Sequence, residues 1–323
     1  MPNMSNWPLE VFIVYARSTL RLGSTHLRAI QLADCVKKYG SGKVNINLLS
    51  ISNMRLSILR RAWCLQVPKG AIVWFCKDAI SRLDEDALEF LWLRSAAVLV
   101  DHIDRDVLVV ERNYVDCHVA ISITQKRYFD ELLTNGSDGI SALLHHQVNS
   151  FFYQKFERDM RAMNLGYFGA LNNCLLPNSL HNVVKILDAE DNNSWNENAS
   201  IFASCNAHYA VRPHTPLQHR KVFKPLLKAF TAAICNVPVI LHYQHDDFSD
   251  LLGTEYPYAV DQDDPTTILG AVDRLKTNWQ GAEYRLAMDV LSSIAKLVSL
   301  EATAKNFEAA VALAVDHGNK LRG

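Results

Sequence analysis

The sequence lacks a surplus of charge of either sign. Its 33 lysines and arginines almost balance its 34 aspartates and glutamates, and the formal net charge is -1. Proteins that bind nucleic acid through its phosphates need a basic surface, which this balance does not supply. Any phosphate group that the protein binds must therefore be held by a few placed cations.

A segment that would send the chain to a membrane is also missing. The first residues, MPNMSNWPLEVFIVYAR, contain no basic stretch followed by a long apolar one, so we do not expect a signal peptide. No apolar run reaches the roughly 20 residues that a membrane-spanning helix needs. We expect a cytoplasmic protein and leave a peripheral membrane contact open, although no strongly amphipathic basic helix supports one.

Cysteines with metal-binding or redox spacing are absent too. The seven cysteines are odd in number, none forms a CxxC motif, and most lie in apolar runs such as Trp74–Lys77. Such thiols are typical of buried residues in a reducing compartment and argue against a disulfide framework or a zinc site.

What the sequence does contain is an alternation of short apolar runs and segments with helical periodicity. In the first half the runs are Val11–Tyr15, Val44–Leu49, Ala71–Cys76, Ala96–Val100 and Val119–Ile123. Runs of this kind are typical of strands buried on both faces of a parallel sheet. Their connection through helices predicts an α/β doubly wound fold, with ligands bound beyond the carboxyl ends of the strands.

The alternation restarts after a charged stretch and ends in helical periodicity from Thr266 onward. The strand candidates of this half are Leu165–Gly169, Val183–Leu187, Ile201–Phe202, Ala207–Val211 and Val237–Leu241. A chain of 323 residues is long enough for two domains of about 150 residues. We predict a first domain over residues 1–155 and a second over 156–323, closed by the C-terminal helices.

A basic cluster lies between two predicted strands of the second half. Arg212 follows one strand, and a helix is predicted to begin at Lys224 and Pro225, where the missing proline donor costs nothing. Lys224 and Lys228 are four residues apart, so they would share a helix face. Cations there oppose the helix dipole, and together with free backbone N–H groups they favour an anion site. The alternative is that both lysines are solvated first-turn residues.

Motifs along nearly the whole chain resemble those of GT-B glycosyltransferases. In the second half, Lys224–Lys228 is similar to a KPxxK motif of one branch of the family, and Leu165–Gly169 resembles the GYFG strand that opens the donor domain. Asn236–Ile240 resembles the G-x-P-V-I motif. In the first half the resemblance rests on Arg21–Arg28, Val100–Asp104, Asp116–Ser122 and His145–Asn149.

The resemblance implies two Rossmann-like domains facing each other across a cleft. It implies transfer of a sugar from a nucleotide sugar to an acceptor hydroxyl on a saccharide or glycolipid, as in the synthesis of surface polysaccharides and glycoconjugates. No metal ion or other cofactor is expected, because such enzymes stabilise the leaving diphosphate with basic side chains and a helix terminus.

The resemblance also assigns candidate residues. The donor would be bound by Gly23, Tyr167, Arg212, Lys224, Lys228 and Thr231. The catalytic groups would be Arg212, Lys224 and Asp101, the last as the base if the anomeric configuration inverts. The acceptor side would include His26, Arg28, His102 and Asp104.

Structural alternatives stand beside several of these roles. Gly23 and the serine after it could simply begin a helix, Asp104 could be a turn or capping residue, and Tyr167 could belong to the core. His26 and Arg28 could be ordinary polar residues of a first helical turn.

The sequence departs from the family pattern at four positions. Phe223 and Thr231 stand where many retaining members have two glutamates, the second of which contacts the donor ribose. Asn236 and Gln147 replace glycines. Two alternatives therefore stay open, namely a sugar-nucleotide epimerase or hydrolase on the same fold, and a non-catalytic glycosyltransferase-like subunit.

Overall fold

The structure is a computed structural model that describes residues 8–20, 23–104, 113–134, 139–187, 198–213, 223–243 and 245–323. The chain divides into two compact units, each with its own parallel sheet. The first unit comprises Met1–Gln147, Lys221–Lys224 and Leu300–Gly323, and the second comprises Val148–Arg220 and Pro225–Ser299.

This division differs from the prediction in two ways. The first break lies at Gln147, a few residues before position 155, and the last helix belongs to the first unit instead of closing the second. The last helix returns because its apolar face completes the core of the first unit. Phe307 is fully buried there, and its ring stacks on that of Trp74 with 4.6 Å between the centroids.

The first unit has a six-stranded sheet with the order β2-β1-β3-β4-β5-β6 and only parallel pairs. Its strands are β1 (Leu9–Ala16), β2 (Val44–Ile51), β3 (Ile72–Cys76), β4 (Ala97–Asp101), β5 (Cys117–Ala120) and β6 (Ile140–Leu143). Its helices are α1 (Gly23–Thr25), α2 (Leu32–Tyr39), α3 (Ser57–Cys64), α4 (Glu85–Arg94) and α5 (Ile123–Thr134), with a π-helical segment at His26–Gln31. The central strands β3 and β4 are buried along their whole length, as their continuous apolar sequences predict.

The second unit has a five-stranded sheet with the order β11-β10-β9-β7-β8, again with only parallel pairs. Its strands are β7 (Leu165–Phe168), β8 (Val184–Leu187), β9 (Ala207–Tyr209), β10 (Val239–His242) and β11 (Ala259–Val260). Its helices are α6 (Ala199–Ala203), α7 (Leu227–Ile234), α8 (Phe248–Leu251), α9 (Pro265–Thr277) and α10 (Ala282–Leu297). Helix α11 (Leu300–Arg322) is the one that returns to the first unit.

Most predicted strands are present within a few residues of their predicted bounds, and one is wrong. Ile201–Phe202 lies in helix α6, where Phe202 is buried and Ile201 is exposed. A run of two apolar residues is too short to distinguish a strand from a helix. The strands β6 and β11 have no counterpart in the prediction because runs of four and two residues are too short to indicate a strand by themselves.

Candidate functional site

The two lysines of the predicted helix start do not share a helix face. Helix α7 begins at Leu227, and the Phe230 N–H donates to the Leu226 carbonyl in its first turn. Lys224 lies before the helix, in a segment without regular secondary structure. The prediction of a helix beginning at Lys224 and Pro225 is therefore wrong. Lys224 precedes Pro225, and a proline disfavours a helical backbone at the residue before it, so Lys224 stays outside the helix.

The N-terminus of α7 has the features of an anion site. Leu226, the residue before the helix, makes no side-chain capping bond, and no acidic residue stands in the first turn. The backbone N–H groups of the first turn are therefore not satisfied by a cap, and they point outward from the positive end of the helix dipole. Lys228 adds a positive charge in this turn, which stabilises a helix only if an anion is bound there.

The ammonium group of Lys228 is held in place by an aromatic ring. Lys228 is half-buried, but its Nζ atom is shielded from solvent and has no hydrogen-bond partner among the described residues. Nζ lies 3.5 Å from the centroid of the Tyr167 ring. Tyr167 is fully buried in β7, and its hydroxyl donates a hydrogen bond to the Ala170 carbonyl at 2.6 Å. The ring is thereby fixed beneath the lysine.

Desolvation changes the titration of this lysine. Burial lowers the pKa of Lys228 to about 7; Cys174 opposes the shift and the charge of Arg212 adds to it. Arg212 lies just beyond strand β9 and is half-buried, so the structure gives the second unit two cations near the start of α7. Such a pair is unfavourable alone and becomes favourable with a bound anion.

A glycine next to this group keeps the space around the ammonium open. Gly169 follows β7 with a φ of 141°, a conformation that favours glycine, and a Cβ atom there would lie 3.6 Å from Lys228 Nζ. Residues 214–222, which include His214 and His219, lie outside the described residues.

The two positions that lack glutamates are occupied by side chains with other contacts. The Thr231 hydroxyl donates a hydrogen bond to the Leu227 carbonyl of its own helix at 2.9 Å. Phe223 is buried and packs on Tyr128 in the first unit, with 5.5 Å between the ring centroids. Neither position carries a carboxylate that could bind a ribose.

The substitution of asparagine for glycine at position 236 has a structural explanation. Asn236 follows α7 with a φ of 54°, a left-handed conformation that glycine adopts most easily and asparagine tolerates. Its N–H bonds to the Ala233 carbonyl and the next N–H, of Val237, bonds to the Ala232 carbonyl, both at 3.1 Å. This is a Schellman ending, which satisfies the last carbonyls of the helix.

Lys224 belongs to a second group of charges, in the first unit. Its Nζ lies 3.4 Å from Asp104, and Lys77 lies 3.5 Å from the other oxygen of the same carboxylate. Lys77 also donates a hydrogen bond to the Ser24 hydroxyl at 3.1 Å. Lys77 and Asp104 follow the neighbouring strands β3 and β4, and both have left-handed backbones, with φ values of 57° and 51°. Strain of this kind concentrates at functional sites.

Asp104 is the ionised centre of this group. Burial acts to raise the pKa of Asp104, but the charges of Lys224 and Lys77 and a hydrogen bond from Ser24 outweigh it, so the pKa lies below its usual value. The side chain keeps about a third of its surface exposed. Nearby, burial and the charge of Arg28 lower the pKa of His146 to about 4, which leaves that imidazole neutral.

Asp101 and Arg28 form a buried ion pair. Both side chains are fully buried, and Arg28 Nε donates to the Asp101 carboxylate at 2.7 Å. The other carboxylate oxygen accepts the Ile103 N–H, and Arg28 also donates to the carbonyls of Leu144 and His145. Burial raises the pKa of Asp101 although Arg28 opposes the shift. These contacts tie the ends of β4 and β6 to the π-helical segment.

The remaining first-unit candidates have separate surroundings. His102 is buried, and its Nε2 atom lies 2.9 Å from His118 Nδ1, so it pairs with another imidazole. His26 is half-buried at the start of the π-helical segment, an irregularity that is often found at functional sites. Gly23 begins helix α1, as the structural alternative predicted, while Arg21 and Leu22 before it lie outside the described residues.

The sequence did not predict a role for Lys77 or His146 in the site, and it gave Ser24 only a backbone role beside Gly23. Lys77 is the first polar residue after the apolar run of β3, a position like those of Asp101 and Arg212 at the ends of their own strands, and this is the signal that could have identified it. Its contact with Asp104 depends on β3 and β4 being neighbours in the sheet, and no single apolar run predicts which strands are neighbours.

Solved structures of glycosyltransferases match nearly the whole chain. The lipopolysaccharide outer core galactosyltransferase WaaB is 11% identical, with a TM-score of 0.59 over 94% of this chain and 99% of its own. The α,α-trehalose-phosphate synthase (UDP-forming) from Burkholderia vietnamiensis is 10% identical, with a TM-score of 0.60 over 93% of this chain and 99% of its own. HepE from Anabaena, solved in complex with UDP, is 11% identical, with a TM-score of 0.56 over 94% and 99%.

This chain has the GT-B fold. The predicted α/β class is thereby confirmed, with two parallel sheets flanked by helices. No protein-family model matches the sequence, and no curated protein is detectably similar to it.

On this GT-B chain, all seven cysteines lie within the described residues, and each is a free thiol. Across the described part of the chain, no group of three or more His, Cys, Asp or Glu side chains is placed to hold a metal ion. No helix in the same described ranges is long and apolar enough to cross a bilayer.

Proposed function

We propose that the protein is a glycosyltransferase that moves a sugar from a nucleotide sugar to an acceptor hydroxyl. The observation that carries the proposal is Lys228, whose ammonium group lies shielded from solvent at the uncapped N-terminus of α7 without a hydrogen-bond partner among the described residues. A buried cation without an acceptor is costly, and a bound diphosphate would supply the missing acceptor oxygens.

The donor diphosphate would be bound by Lys228, Arg212 and the N–H groups of the first turn of α7. These donors are aimed at a place where negative charge grows as the sugar leaves, and they stabilise the departing diphosphate without rearrangement. No metal ion is needed in this scheme, because the two cations and the helix dipole provide the positive charge.

UDP-sugars are the donors to test first. HepE has been solved with UDP and with UDP-glucose, and the Burkholderia enzyme is described as UDP-forming. An acceptor in a surface polysaccharide or glycolipid is consistent with the likeness to WaaB, a lipopolysaccharide outer core galactosyltransferase. We propose that the protein works in the cytoplasm, with a peripheral contact to a membrane.

On the acceptor side we assign the reactive carboxylate to Asp104 and a positioning role to Asp101. Asp104 is ionised and partly exposed, so it can accept the proton of an acceptor hydroxyl if the configuration inverts. Asp101 is fully buried and paired with Arg28, so an acceptor hydroxyl cannot reach its carboxylate. In this proposal His26 remains an acceptor-side neighbour and Gly23 offers its backbone to the donor. Lys224, predicted to bind the donor, is reassigned to the acceptor side because it contacts Asp104.

A non-catalytic nucleotide-sugar-binding subunit is the second candidate. The observation that favours it is Thr231, whose hydroxyl is bonded to its own helix where many retaining enzymes place a glutamate. A protein of this kind would bind a nucleotide sugar at Lys228 without transferring the sugar.

The deciding experiment combines binding and turnover. We expect at least one of a panel of UDP-, GDP- and dTDP-sugars to raise the melting temperature, and nucleotide to be released only when an acceptor is added. Stabilisation by none of the panel, nor by the free nucleoside diphosphates, rules out the proposal. Release of nucleotide without an acceptor would identify a hydrolase or epimerase, and binding without turnover would identify the binding subunit.

Three alanine variants locate the donor site. Lys228→Ala and Arg212→Ala each remove a charged hydrogen-bond donor and should weaken nucleoside diphosphate binding by about 10- to 100-fold. Lys224→Ala is the matched control, since Lys224 is exposed and bound to Asp104, and we expect its diphosphate affinity to stay within about twofold of wild type. Equal loss in Lys224→Ala and Lys228→Ala would show that the site assignment is wrong.

A further inference from the structure

Helix α3 of the first unit buries one face and leaves an apolar stripe on the other. The buried face consists of Trp63, which bonds to the Ser50 carbonyl, and Cys64. Ile58, Ala62 and Leu65 follow at i, i+4 and i+7, so they line up on the opposite side. Ile58 is 72% exposed and Leu65 is 58% exposed. A surface helix of a globular protein normally carries polar residues there.

The stripe is one part of a larger apolar surface. Leu56 and Leu59 are also exposed, by 60% and 48%, on the same short stretch of chain. Four large aliphatic side chains are thus exposed within ten residues of the chain, in contrast to the scattered single leucines that most protein surfaces carry. We call this patch, made of Leu56, Ile58, Leu59 and Leu65, the α3 surface.

The charged residues of the chain segment that carries the α3 surface all have one sign. Residues 52–70 contain Arg55, Arg60, Arg61 and Lys69 and no aspartate or glutamate, although the chain as a whole has a net charge of -1. Arg60 is paired with Asp84 at the start of α4, whereas Arg55 and Lys69 are exposed. An apolar stripe flanked by unopposed arginines and lysines is the pattern of a helix that lies in a membrane interface.

The neighbouring acidic helix lies on another side of α3. Arg60 and Cys64 mark that side through Asp84 and the Ala87 carbonyl, and Arg61, over the Phe90 ring, lies at its edge next to the α3 surface. Ile58 and Leu65 point away from these contacts on the helical wheel. The exposed acids Glu85, Asp86 and Glu89 of α4 therefore do not interrupt the α3 surface.

We propose that the α3 surface docks the protein onto a lipid bilayer that contains anionic phospholipid. The four aliphatic side chains would enter the headgroup region, and Arg55, Arg61 and Lys69 would bind the lipid phosphates. A second copy of the chain fits less well. Four side chains on two helical turns are far fewer than the roughly 20–30 residues per partner of a stable interface. A two-fold contact would also bring the flanking cations of both copies together.

Co-sedimentation of the full chain with vesicles tests the proposal. We expect binding to vesicles of phosphatidylglycerol and phosphatidylcholine in equal amounts, weaker binding to pure phosphatidylcholine, and loss of the difference at high salt. Ile58→Ser/Leu65→Ser should weaken binding to the mixed vesicles by about tenfold or more, because two buried aliphatic side chains are lost. Arg55→Gln/Arg61→Gln should remove the preference for the anionic lipid.

The matched control is Leu286→Ser/Leu313→Ser. These leucines are 46% and 45% exposed on α10 and α11, so the variant removes the same apolar groups away from the α3 surface. It should bind vesicles like the wild type. The positions of all three variants are solvent-exposed, and we expect melting temperatures close to that of the wild type.

Three results would overturn the proposal. The first is that the wild type binds neither kind of vesicle. The second is that Ile58→Ser/Leu65→Ser and the control lose equal amounts of vesicle binding. The third is that the wild type dimerises in a concentration-dependent way and Ile58→Ser/Leu65→Ser abolishes the dimer. The inference is independent of the proposed sugar transfer. Diphosphate binding measured on the same variants should be unchanged, so failure of one idea is distinguishable from failure of the other.

Discussion

Lys228 and Tyr167 form a cation–π pair within the second unit, with 3.5 Å between Nζ and the ring centroid. Strand β7 supplies the ring and helix α7 supplies the ammonium. The pair places a desolvated positive charge beside the free N–H groups of a helix start, which is the arrangement that binds phosphate.

The ring of Tyr167, more than its hydroxyl, should support diphosphate binding. Tyr167→Phe keeps the ring and loses only the bond to Ala170, whereas Tyr167→Leu removes the ring face. We expect near wild-type affinity for UDP in the first variant. In the second we expect affinity lowered by about 2- to 30-fold, as a buried cation–π contact of roughly 0.5–2 kcal/mol implies. Titration calorimetry measures both affinities. A larger loss of UDP affinity in Tyr167→Phe than in Tyr167→Leu would contradict the role of the ring.

Diphosphate binding should take up a proton above neutral pH. The pKa of Lys228 is about 7 in the free protein because of burial, and a bound anion raises it by favouring the charged form. Affinity should therefore be constant at lower pH and fall as pH rises above about 7, by up to tenfold per pH unit.

Calorimetry of UDP binding in buffers of different ionisation enthalpy measures this uptake directly. The matched control is Lys228→Met, which cannot titrate at this position and should bind weakly with no proton uptake near pH 8. Equal uptake in wild type and Lys228→Met would place the proton elsewhere.

Asp101→Asn should lower the free energy of unfolding strongly and affect the rate of sugar transfer much less. The change leaves the Arg28 guanidinium buried without its counter-charge, which destabilises by about 3–5 kcal/mol, and Arg28→Met/Asp101→Leu should recover much of that loss. Denaturant unfolding measures the effect.

The matched control for this pair is Asp104→Asn. Its side chain is partly exposed, so we expect a stability change below about 1 kcal/mol together with a fall in transfer rate of about 10²-fold or more. If Asp101→Asn is stable but inactive while Asp104→Asn is active, then Asp101 and not Asp104 is the base.

At position 236, glycine should preserve the stability of the protein and alanine should lower it. Asn236→Gly fits the left-handed backbone and should leave the free energy of unfolding nearly unchanged, whereas Asn236→Ala should lower it by about 1 kcal/mol. The midpoint of denaturant unfolding of the second unit reports the difference. Equal midpoints for the two variants would show that the backbone conformation does not decide the residue.

Local pattern was sufficient to predict the sheets. The runs AIVWFC and AAVLV became the buried central strands β3 and β4, since a strand covered on both faces must be apolar throughout. The pattern was insufficient at Ile201–Phe202, where a two-residue run carries no periodicity. It was also insufficient for the apolar side of α3, because only the burial of Trp63 and Cys64 shows which face of that helix is exposed.

The sequence by itself determined the parallel α/β architecture and marked the segment from Arg212 to Lys228 as a candidate anion site, because both follow from residue type and spacing along the chain. Only the tertiary structure decided how those charges are distributed. It separated Lys224, bound to Asp104, from Lys228, placed over Tyr167, and it paired Asp101 with Arg28. These contacts join residues that are 61 to 120 positions apart in the chain, and the order of strands in a sheet, not the local sequence, brings such residues together.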